Sequence, residues 1–344
     1  MKRVAIVILN WNGKELLKQF LPGVAEHSKH PKYVVDVIVA DNNSTDESLL
    51  WLTKNYPYIR VISLDKNYGF AGGYNRALKQ VKADYFVLLN SDVEVRAGWL
   101  TPLLNFMEHT PNAAACMPKI IDYKNPERFE YAGAAGGFLD FLGYPFCRGR
   151  ILNTIENDNG QYDDAKEVFW ATGACMLIRA KEFIAAGGFD EDFFAHMEEI
   201  DLCWRLKRQG YSIWCIPASR VFHVGGATLS NINPRKVYYN HRNNLLMLLK
   251  NLSARSVIPL ISIRILLDLA SAFGYAISGK PGLSISVIKA HSYFFKKLKE
   301  TIVKRKQLKY PRIKLFRGSI LIHYFVKRNR RFSDLPRKVY LGKH

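Results

Sequence analysis

The chain has 344 residues, of which 48% are hydrophobic and 23% charged, so it can bury a large globular core. Five cysteines, odd in number and without metal-type pairing, argue against a disulfide framework and indicate free thiols in a reducing compartment. The net charge of +20 fits a nucleic-acid partner, an anionic membrane or a solvated surface.

Short apolar runs alternate with segments of helical composition along the first half of the chain. The runs predict strands at 4–9, 34–40, 59–64 and 84–89, with helices at 15–25, 46–54 and 71–79. This spacing indicates βαβ units, and therefore an α/β fold with a mostly parallel sheet flanked by helices. Beyond residue 92 we expect a helix near 97–109, strands at 113–117, 168–170, 174–178 and 213–216, and loops and hairpins over 122–164.

Polar and glycine-rich clusters follow the first three predicted strands. Because parallel strands end at one edge of a sheet, these clusters should converge there and bind a nucleotide. Asp41 would accept hydrogen bonds from a ribose or base, and the glycines would let the backbone approach phosphate. Any one cluster alone could be turn chemistry. The predicted nucleotide-binding residues are Asn10, Asn12, Asp41, Asn43, Asn67, Gly69, Gly72, Gly73 and Asn75.

The fourth strand ends in Asn90-Ser91-Asp92. Hard cations such as Mg²⁺ prefer oxygen ligands and need only one or two protein carboxylates when phosphates and waters fill the remaining positions. Asp92 is therefore a candidate metal ligand beside a phosphate. The alternative is that Asp92 caps the helix that follows.

Three acidic residues, Glu198, Glu199 and Asp201, open a predicted helix. A carboxylate near a sugar hydroxyl could act as a general base. The alternative is that acidic residues here only complement the helix dipole.

Together these motifs resemble the inverting glycosyltransferases of family 2, which have a GT-A fold, and within them the rhamnosyltransferase-like group of bacterial surface-polysaccharide synthesis. The resemblance covers roughly residues 1–250. It rests on the segments at 7–13, 41–46, 67–75, 90–92, 172–175, 187–191 and 198–205, and on His223 before Gly225-Gly226.

The resemblance implies roles for individual residues. Asp41 would bind the nucleotide, helped by Ser91, while Asp92 would hold a divalent metal, Mg²⁺ or Mn²⁺. His223 would be a second metal ligand or a contact to the pyrophosphate. The family often has Asp-x-Asp where this chain has Asn90-Ser91-Asp92, which makes Asn90 a weaker metal ligand. Glu199 takes the usual position of the base, with Glu198 and Asp201 as alternatives. Acceptor contacts are assigned to Trp170, Thr172 and Gly173, although a buried strand position for Trp170 is equally consistent with the sequence.

The implied function is transfer of a sugar, with inversion, from a nucleotide-diphosphate sugar such as a UDP- or dTDP-sugar to a glycan or lipid-linked acceptor. Residues 1–234 would form the catalytic domain, with a donor half (1–118) and an acceptor half (119–234), and 235–344 a helical, basic appendage. A sugar-1-phosphate nucleotidyltransferase is the first alternative, but a basic phosphate loop does not follow strand one. A nucleic-acid-binding protein is the second, and it leaves Asp92, Glu199 and His223 unused.

The C-terminal region carries most of the excess charge. Residues 289–344 contain 18 lysines and arginines against two acidic residues. The preceding apolar stretch, 257–278, includes Arg264 and Asp268, which are costly at a bilayer centre. A helix lying in the membrane interface, followed by a segment attracted to anionic lipid, fits this pattern better than a span, and a packed hairpin is the alternative. The apolar run at 4–9 is too short for a signal-peptide core, so we expect a cytoplasmic protein at the inner face of the plasma membrane, with no nucleic-acid partner.

Overall fold

The structure is a computed structural model that describes residues 1–225, 233–306, 313 and 315–336. The N-terminal half alternates strands and helices as predicted: β1 (Lys2–Asn10), α1 (Lys14–His27), β2 (Tyr33–Asp41), α2 (Ser48–Asn55), β3 (Arg60–Ser63), α3 (Gly69–Leu78), β4 (Tyr85–Asn90), β5 (Val93–Val95), α4 (Leu100–His109) and β6 (Ala113–Asp122).

The C-terminal half begins with mostly short strands, continues with two α-helices and the long strand β13, and then has four α-helices in the described part of the chain. The elements are β7 (Gly137–Leu139), β8 (Pro145–Cys147), β9 (Arg150–Ile151), β10 (Thr154–Ile155), β11 (Lys166–Val168), β12 (Cys175–Arg179), α5 (Ala180–Ala185), α6 (Glu198–Arg208), β13 (Ser212–His223), α7 (Pro234–Asn251), α8 (Ala254–Ile277), α9 (Pro281–Lys296) and α10 (Leu298–Lys306).

The central sheet has the strand order β11-β13-β6-β12-β4-β1-β2-β3, with β5 paired to β13. Strands β4, β1, β2 and β3 are mutually parallel, whereas β12 runs antiparallel to both β4 and β6. The predicted α/β fold with a mostly parallel sheet flanked by helices is therefore confirmed, and the antiparallel β12 makes the sheet mixed. Its parallel strands are buried because helices cover both faces, which is why they read as continuous apolar runs.

Strand β13 is longer than the sequence predicts because it contains a bulge. Its register with β6 shifts between Ile216 and Arg220, and the strand then continues to His223. Bulges redirect a strand and often adjoin active sites. Beyond this bulge His223 pairs with Val93, next to Asp92. Strands β7 to β10 form a second, antiparallel sheet within the predicted hairpin region.

Helix α7 packs into the same hydrophobic core as the central sheet. Leu245, Met247 and Leu248 are buried in that core together with β1 residues such as Ile6. The proposed domain division at residue 234 falls at the start of this helix. All five cysteines are buried free thiols, as predicted.

Helix α8 has one face turned to the protein and one face exposed. Val257, Ile261, Arg264, Asp268 and Ala272 are buried at helical spacing. Arg264 donates from Nε to Asp268 Oδ1 at 2.9 Å, and His291 of α9 lies 3.3 Å from the other carboxylate oxygen. Among the described residues, α8 is the one helix that is long and apolar enough to cross a membrane, judged by length and composition.

Candidate active site

The carboxyl ends of β1, β2 and β4 meet at one edge of the central sheet. Asn10 is paired with Asp41, and Leu9 with Asn90, in the parallel register. The segments after these strands therefore start from neighbouring positions, as the sequence predicts. This edge is where open α/β sheets bind ligands.

Asp41 is buried and organises the loop that follows β2. Its Oδ1 accepts from Asn10 Nδ2 at 3.0 Å and from Ser44 Oγ at 2.6 Å, and its Oδ2 accepts from the Ser44 backbone N–H at 2.9 Å. An ionised carboxylate has about four acceptor positions, so one remains for a ligand. Asn10 Oδ1 is buried without a partner, and Trp11 beside it is 47% exposed. A polar group and an aromatic surface thus remain available at this edge.

Asn12 and Asn43 shape the two loops that border this edge. Both have positive φ, 51° and 63°, which asparagine tolerates better than most residues. Asn12 Oδ1 accepts from the Thr45 backbone N–H at 2.7 Å, which ties the loop after β1 to the loop after β2. The Asn43 side chain is exposed.

The glycines at the start of α3 make close contacts with the protein itself. A Cβ at Gly69 would lie 2.5 Å from the Phe194 carbonyl oxygen, and one at Gly73 would lie 2.9 Å from Leu9. Gly72 faces the Tyr68 and Arg76 side chains in the same way. These glycines therefore serve close packing in the structure, whereas the sequence assigns them to phosphate approach.

Asn67 and Asn75 also hold protein segments in place. Asn67 Oδ1 accepts from Asn42 Nδ2 at 3.0 Å, and Asn75 Nδ2 donates to the Phe189 carbonyl oxygen at 2.8 Å. Asn75 lines a cavity of about 860 Å³ that also includes Phe183 and Lys304 but neither Asp92 nor Glu199. In the structure Asn75 therefore holds the segment at Phe189, and its contact with a nucleotide stays a prediction.

Asp92, His223 and Glu130 form a buried row of polar groups after β4 and β13. His223 Nε2 lies 3.1 Å from Asp92 Oδ1, and His223 Nδ1 lies 3.4 Å from Glu130 Oε2. Burial disfavours protonation of His223, but the contacts with Asp92 and Glu130 outweigh it and raise the imidazole pKa to about 10, so a metal would have to displace a proton to use His223 as a ligand. Glu130 belongs to the stretch in which the sequence shows no pattern. Gly226 of the predicted motif lies outside the described residues.

The donor set of Asp92 and His223 fits a divalent cation. A carboxylate and an imidazole are both ordinary metal ligands, and a metal-binding histidine usually presents its other ring nitrogen to a carboxylate, as His223 does to Glu130. Two protein ligands suffice where substrate phosphates complete the coordination. Within the described ranges, no group of three or more His, Cys, Asp or Glu side chains is arranged to hold a metal ion by itself.

Glu198, which is buried, and Glu199, which is half-buried, open α6. One carboxylate oxygen of each, Oε2, is buried and has no hydrogen-bond partner among the described residues. Burial, and then the charge of Glu199, raise the pKa of Glu198 well above its usual range. Burial also raises the pKa of Glu199 to about 7. A carboxylate that titrates near neutral pH is suited to general-base chemistry.

Helix α7 fixes the segment that leads into these glutamates. Phe194, His196 and Met197 all have positive φ, between 62° and 72°, which costs of order 1–3 kcal/mol per residue and requires support from neighbours. Asn243 Nδ2 supplies it by donating to the carbonyl oxygens of Phe193, Ala195 and His196 at 2.9, 2.8 and 2.7 Å. Sequence reasoning missed Asn243, whose role depends on tertiary contact.

Asp201 lies in a buried ion-pair cluster, which corrects its prediction as an alternative base. Its carboxylate accepts from Arg205 Nε and Lys250 Nζ, both at 2.8 Å, and from Asn251 Nδ2 at 2.7 Å. Burial opposes ionisation, but Lys250 and Arg205 lower the pKa of Asp201 below its usual value. Asp201 therefore joins α6 to α7 and offers no basic site to a substrate.

The three predicted acceptor residues are also enclosed by protein. Trp170 is 3% exposed, and its indole N–H donates to the Phe138 carbonyl oxygen at 3.0 Å. Thr172 Oγ1 accepts from the Ala174 backbone N–H, and a Cβ at Gly173 would lie 2.8 Å from the Phe70 ring. The structure therefore corrects the stacking role of Trp170 to a core position.

Comparisons with known proteins agree with this architecture. Staphylococcus aureus TarS 1–349, in complex with UDP-GlcNAc, superposes with a TM-score of 0.56 at 15% sequence identity, over 88% of this chain and 84% of TarS 1–349. The mannosyltransferase PcManGT from Pyrobaculum calidifontis, in complex with GDP-Man and Mn²⁺, gives a TM-score of 0.52 at 13% identity, over 86% and 87% of the two chains. At these identities the likeness concerns the fold.

Proteins related in sequence give a more specific comparison than these solved structures. The chain is 28% identical over 236 residues to the N-acetylglucosaminyl-diphospho-decaprenol L-rhamnosyltransferase of Mycobacterium tuberculosis, which covers 63% of this chain and 75% of that protein. It is 27% identical over 229 residues to rhamnosyltransferase WbbL of Escherichia coli K12, covering 64% and 83%. Residues 5–184, more than half of the chain, match the family described as glycosyl transferase family 2. The chain therefore belongs to glycosyl transferase family 2 and is a glycosyltransferase.

Proposed function

We propose that the enzyme transfers a sugar from a nucleotide-diphosphate sugar to a hydroxyl group of a glycan or lipid-linked acceptor, with inversion, in bacterial surface-polysaccharide assembly. The observation that carries this proposal is the carboxylate of Glu199, whose Oε2 is buried without a hydrogen-bond partner among the described residues and whose pKa is raised by burial to about 7. The same molecule carries the Asp92–His223 donor set at the edge of the central sheet. The names of the bacterial relatives support the acceptor class.

In this mechanism Glu199 takes the proton from the acceptor hydroxyl as its oxygen attacks the anomeric carbon. Direct attack from the face opposite the leaving group inverts the configuration. Asp92 and His223 would hold a divalent cation, Mg²⁺ or Mn²⁺, which when bound would neutralise charge on the departing diphosphate. Asp41 and its loop would bind the nucleoside of a UDP- or dTDP-sugar.

A screen of nucleotide sugars for release of nucleoside diphosphate tests this function. We expect release that depends on a divalent cation and is abolished in Asp92→Ala, because the leaving group loses its counterion. A melting temperature close to that of the wild type would show that Asp92→Ala stays folded. Full release by this variant, or by the wild type in excess chelator, would contradict the proposed role of Asp92.

We also propose that the enzyme works at the cytoplasmic face of the plasma membrane, held by the α8–α9 hairpin. The outward face of α8 exposes Ile258, Leu266, Leu269, Phe273 and Ile277, at 41–74% relative exposure, on the side opposite Arg264 and Asp268. On α9 the exposed Ile285 and Ile288 adjoin the exposed Lys289 and Lys296. An apolar face with a basic border fits a helix pair lying in an anionic interface.

A further inference from the structure

Arg150 of β9 is a buried cation that has no carboxylate at ion-pair distance among the described residues. Its side chain is 5% exposed. Nη1 donates to the Pro145 carbonyl oxygen and Nη2 to Cys147 Sγ, both at 3.3 Å, while Nε has no partner. In the part of the chain that the structure describes, none of these contacts supplies a negative charge at ion-pair distance. The charge of Glu130 also favours the cation, although the two do not form an ion pair among the described residues, so the unpartnered Nε leaves this guanidinium a donor for an anion from outside the protein.

A second cation, Lys236 at the start of α7, lies near the same tyrosine. The Arg150 guanidinium is 4.7 Å from the centre of the Tyr131 ring, and Lys236 Nζ is 5.7 Å from it. Burial lowers the pKa of Lys236; the charge of Glu130 opposes this shift, and the charge of Arg150 adds a smaller lowering effect. Two neighbouring cations repel each other, and an anion bound between them would remove that repulsion.

These cations adjoin both halves of the candidate active site. Both cations face the ring of Tyr131, which directly follows Glu130 in the chain. Glu130 contacts His223 of the proposed metal site. Burial and the charge of Lys236 lower the pKa of His196 to about 4, which places Lys236 beside the segment that leads into Glu199. Arg150 and Lys236 are therefore near the reaction centre.

We propose that Arg150 and Lys236 form a phosphate-binding subsite beside Glu199. The planar guanidinium matches two phosphate oxygens at once, and the lysine adds a point charge. The inference rests on the proposed function, because that reaction brings two diphosphates to this region. One is the leaving group of the donor, and the other is the diphosphate of a lipid-linked acceptor, of the kind stated in the name of the Mycobacterium relative.

Calorimetric titration of the folded, full-length enzyme with inorganic pyrophosphate in metal-free buffer tests the subsite. We expect Arg150→Ala and Lys236→Ala each to weaken binding about tenfold or more, because each loses a charge-assisted hydrogen bond to phosphate. Arg148→Ala is the matched control. Arg148 is equally buried two residues away, but it is paired with Asp164 at 2.6 Å, so its loss should leave pyrophosphate binding unchanged.

Two further titrations distinguish the source of the phosphate. In the first, geranyl diphosphate is titrated into enzyme whose donor site is saturated with a nucleoside diphosphate and Mn²⁺. If Arg150→Ala selectively weakens binding of geranyl diphosphate, the subsite belongs to the acceptor. In the second, the nucleoside diphosphate is titrated into the enzyme in the presence of Mn²⁺. If Arg150→Ala selectively weakens binding of the nucleoside diphosphate, the subsite belongs to the donor.

Wild-type protein that does not bind pyrophosphate, or Arg150→Ala and Lys236→Ala variants that bind it like the wild type, would overturn the subsite. If Arg150→Ala does not fold, pyrophosphate binding by Lys236→Ala tests the subsite on its own. Failure of the wild type to release nucleoside diphosphate from any nucleotide sugar would instead contradict the proposed function, and the pyrophosphate result would still stand.

Discussion

Glu199 differs from the neighbouring acidic residue Asp201 because of what surrounds each carboxylate. Asp201 is neutralised by Arg205 and Lys250, so its pKa stays low. Glu199 has a buried oxygen without a partner and titrates near neutral pH. One helix end therefore carries a structural carboxylate and a reactive one, although the sequence alone leaves both as candidates.

The first residue-scale prediction concerns the proton transfer. Glu199→Gln keeps the size of the side chain but cannot accept a proton, so kcat should fall about 10²–10⁴-fold with donor KM little changed. A base must be deprotonated, so wild-type kcat/KM should rise with pH through about 7 and level off above it. Initial rates of nucleoside diphosphate release from pH 5 to 9 provide this measurement.

Asp201→Asn serves as the control for Glu199→Gln. It breaks a buried ion-pair cluster and should lower the free energy of unfolding by about 3–5 kcal/mol. The folded fraction should keep the wild-type pH profile. A larger loss of kcat in Asp201→Asn than in Glu199→Gln, measured below both melting temperatures, would move the base to Asp201.

At the scale of elements, the segment before α6 depends on α7. Asn243→Ala removes an amide whose two hydrogens are shared among three carbonyl oxygens and leaves buried carbonyl groups unpaired, so the free energy of unfolding should fall by about 2–4 kcal/mol. Because the segment positions Glu199, kcat should fall while the affinity for Mn²⁺ is retained. Turnover and metal titration measure the two effects separately.

Asn244→Ala is a matched control for that prediction. Asn244 is also buried on α7, but its amide donates to the Gly143 carbonyl oxygen, away from the segment before α6. Asn244→Ala should lower the free energy of unfolding but reduce kcat less than Asn243→Ala does. Equal losses of kcat in the two variants would contradict a specific link between Asn243 and the catalytic segment.

The parallel half of the sheet was predictable because buried strands such as β1 are continuous apolar runs. Prediction fails where tertiary contacts decide the outcome. Glu130 and Arg150 lie among strands of only two or three residues, too short to show a period. The predicted strand at 213–216 stops at the bulge, so the sequence could not show how β13 brings His223 to Asp92.

At the scale of the whole molecule, α7 connects the catalytic segment to the proposed membrane face. Arg242 and Asn243 contact residues 192–196, while His241 lies 3.0 Å from Asp268 of α8. Docking of the hairpin on a membrane would therefore orient the active site relative to a lipid-linked acceptor. Because α8 and the chain after it share the core with the sheet, point substitutions test docking better than truncation.

Replacing both Leu266 and Phe273 by Glu should release the protein from anionic liposomes, since charge replaces buried apolar area at the interface. Ile184→Glu on α5 is the control, because Ile184 is as exposed as Leu266, at 66%. High salt should weaken only the electrostatic part of wild-type binding. Flotation at low salt measures the effect, and equal flotation of the double variant and the wild type would exclude this face.

The most direct test of the active-site assignment is a crystal structure of the enzyme with Mn²⁺ and a nucleoside diphosphate, using the anomalous signal of the metal. We expect the manganese peak in contact with the Asp92 carboxylate, and the nucleoside at the carboxyl ends of β1 and β2. A metal and nucleotide bound elsewhere, such as the cavity lined by Phe183 and Lys304, would contradict the assignment.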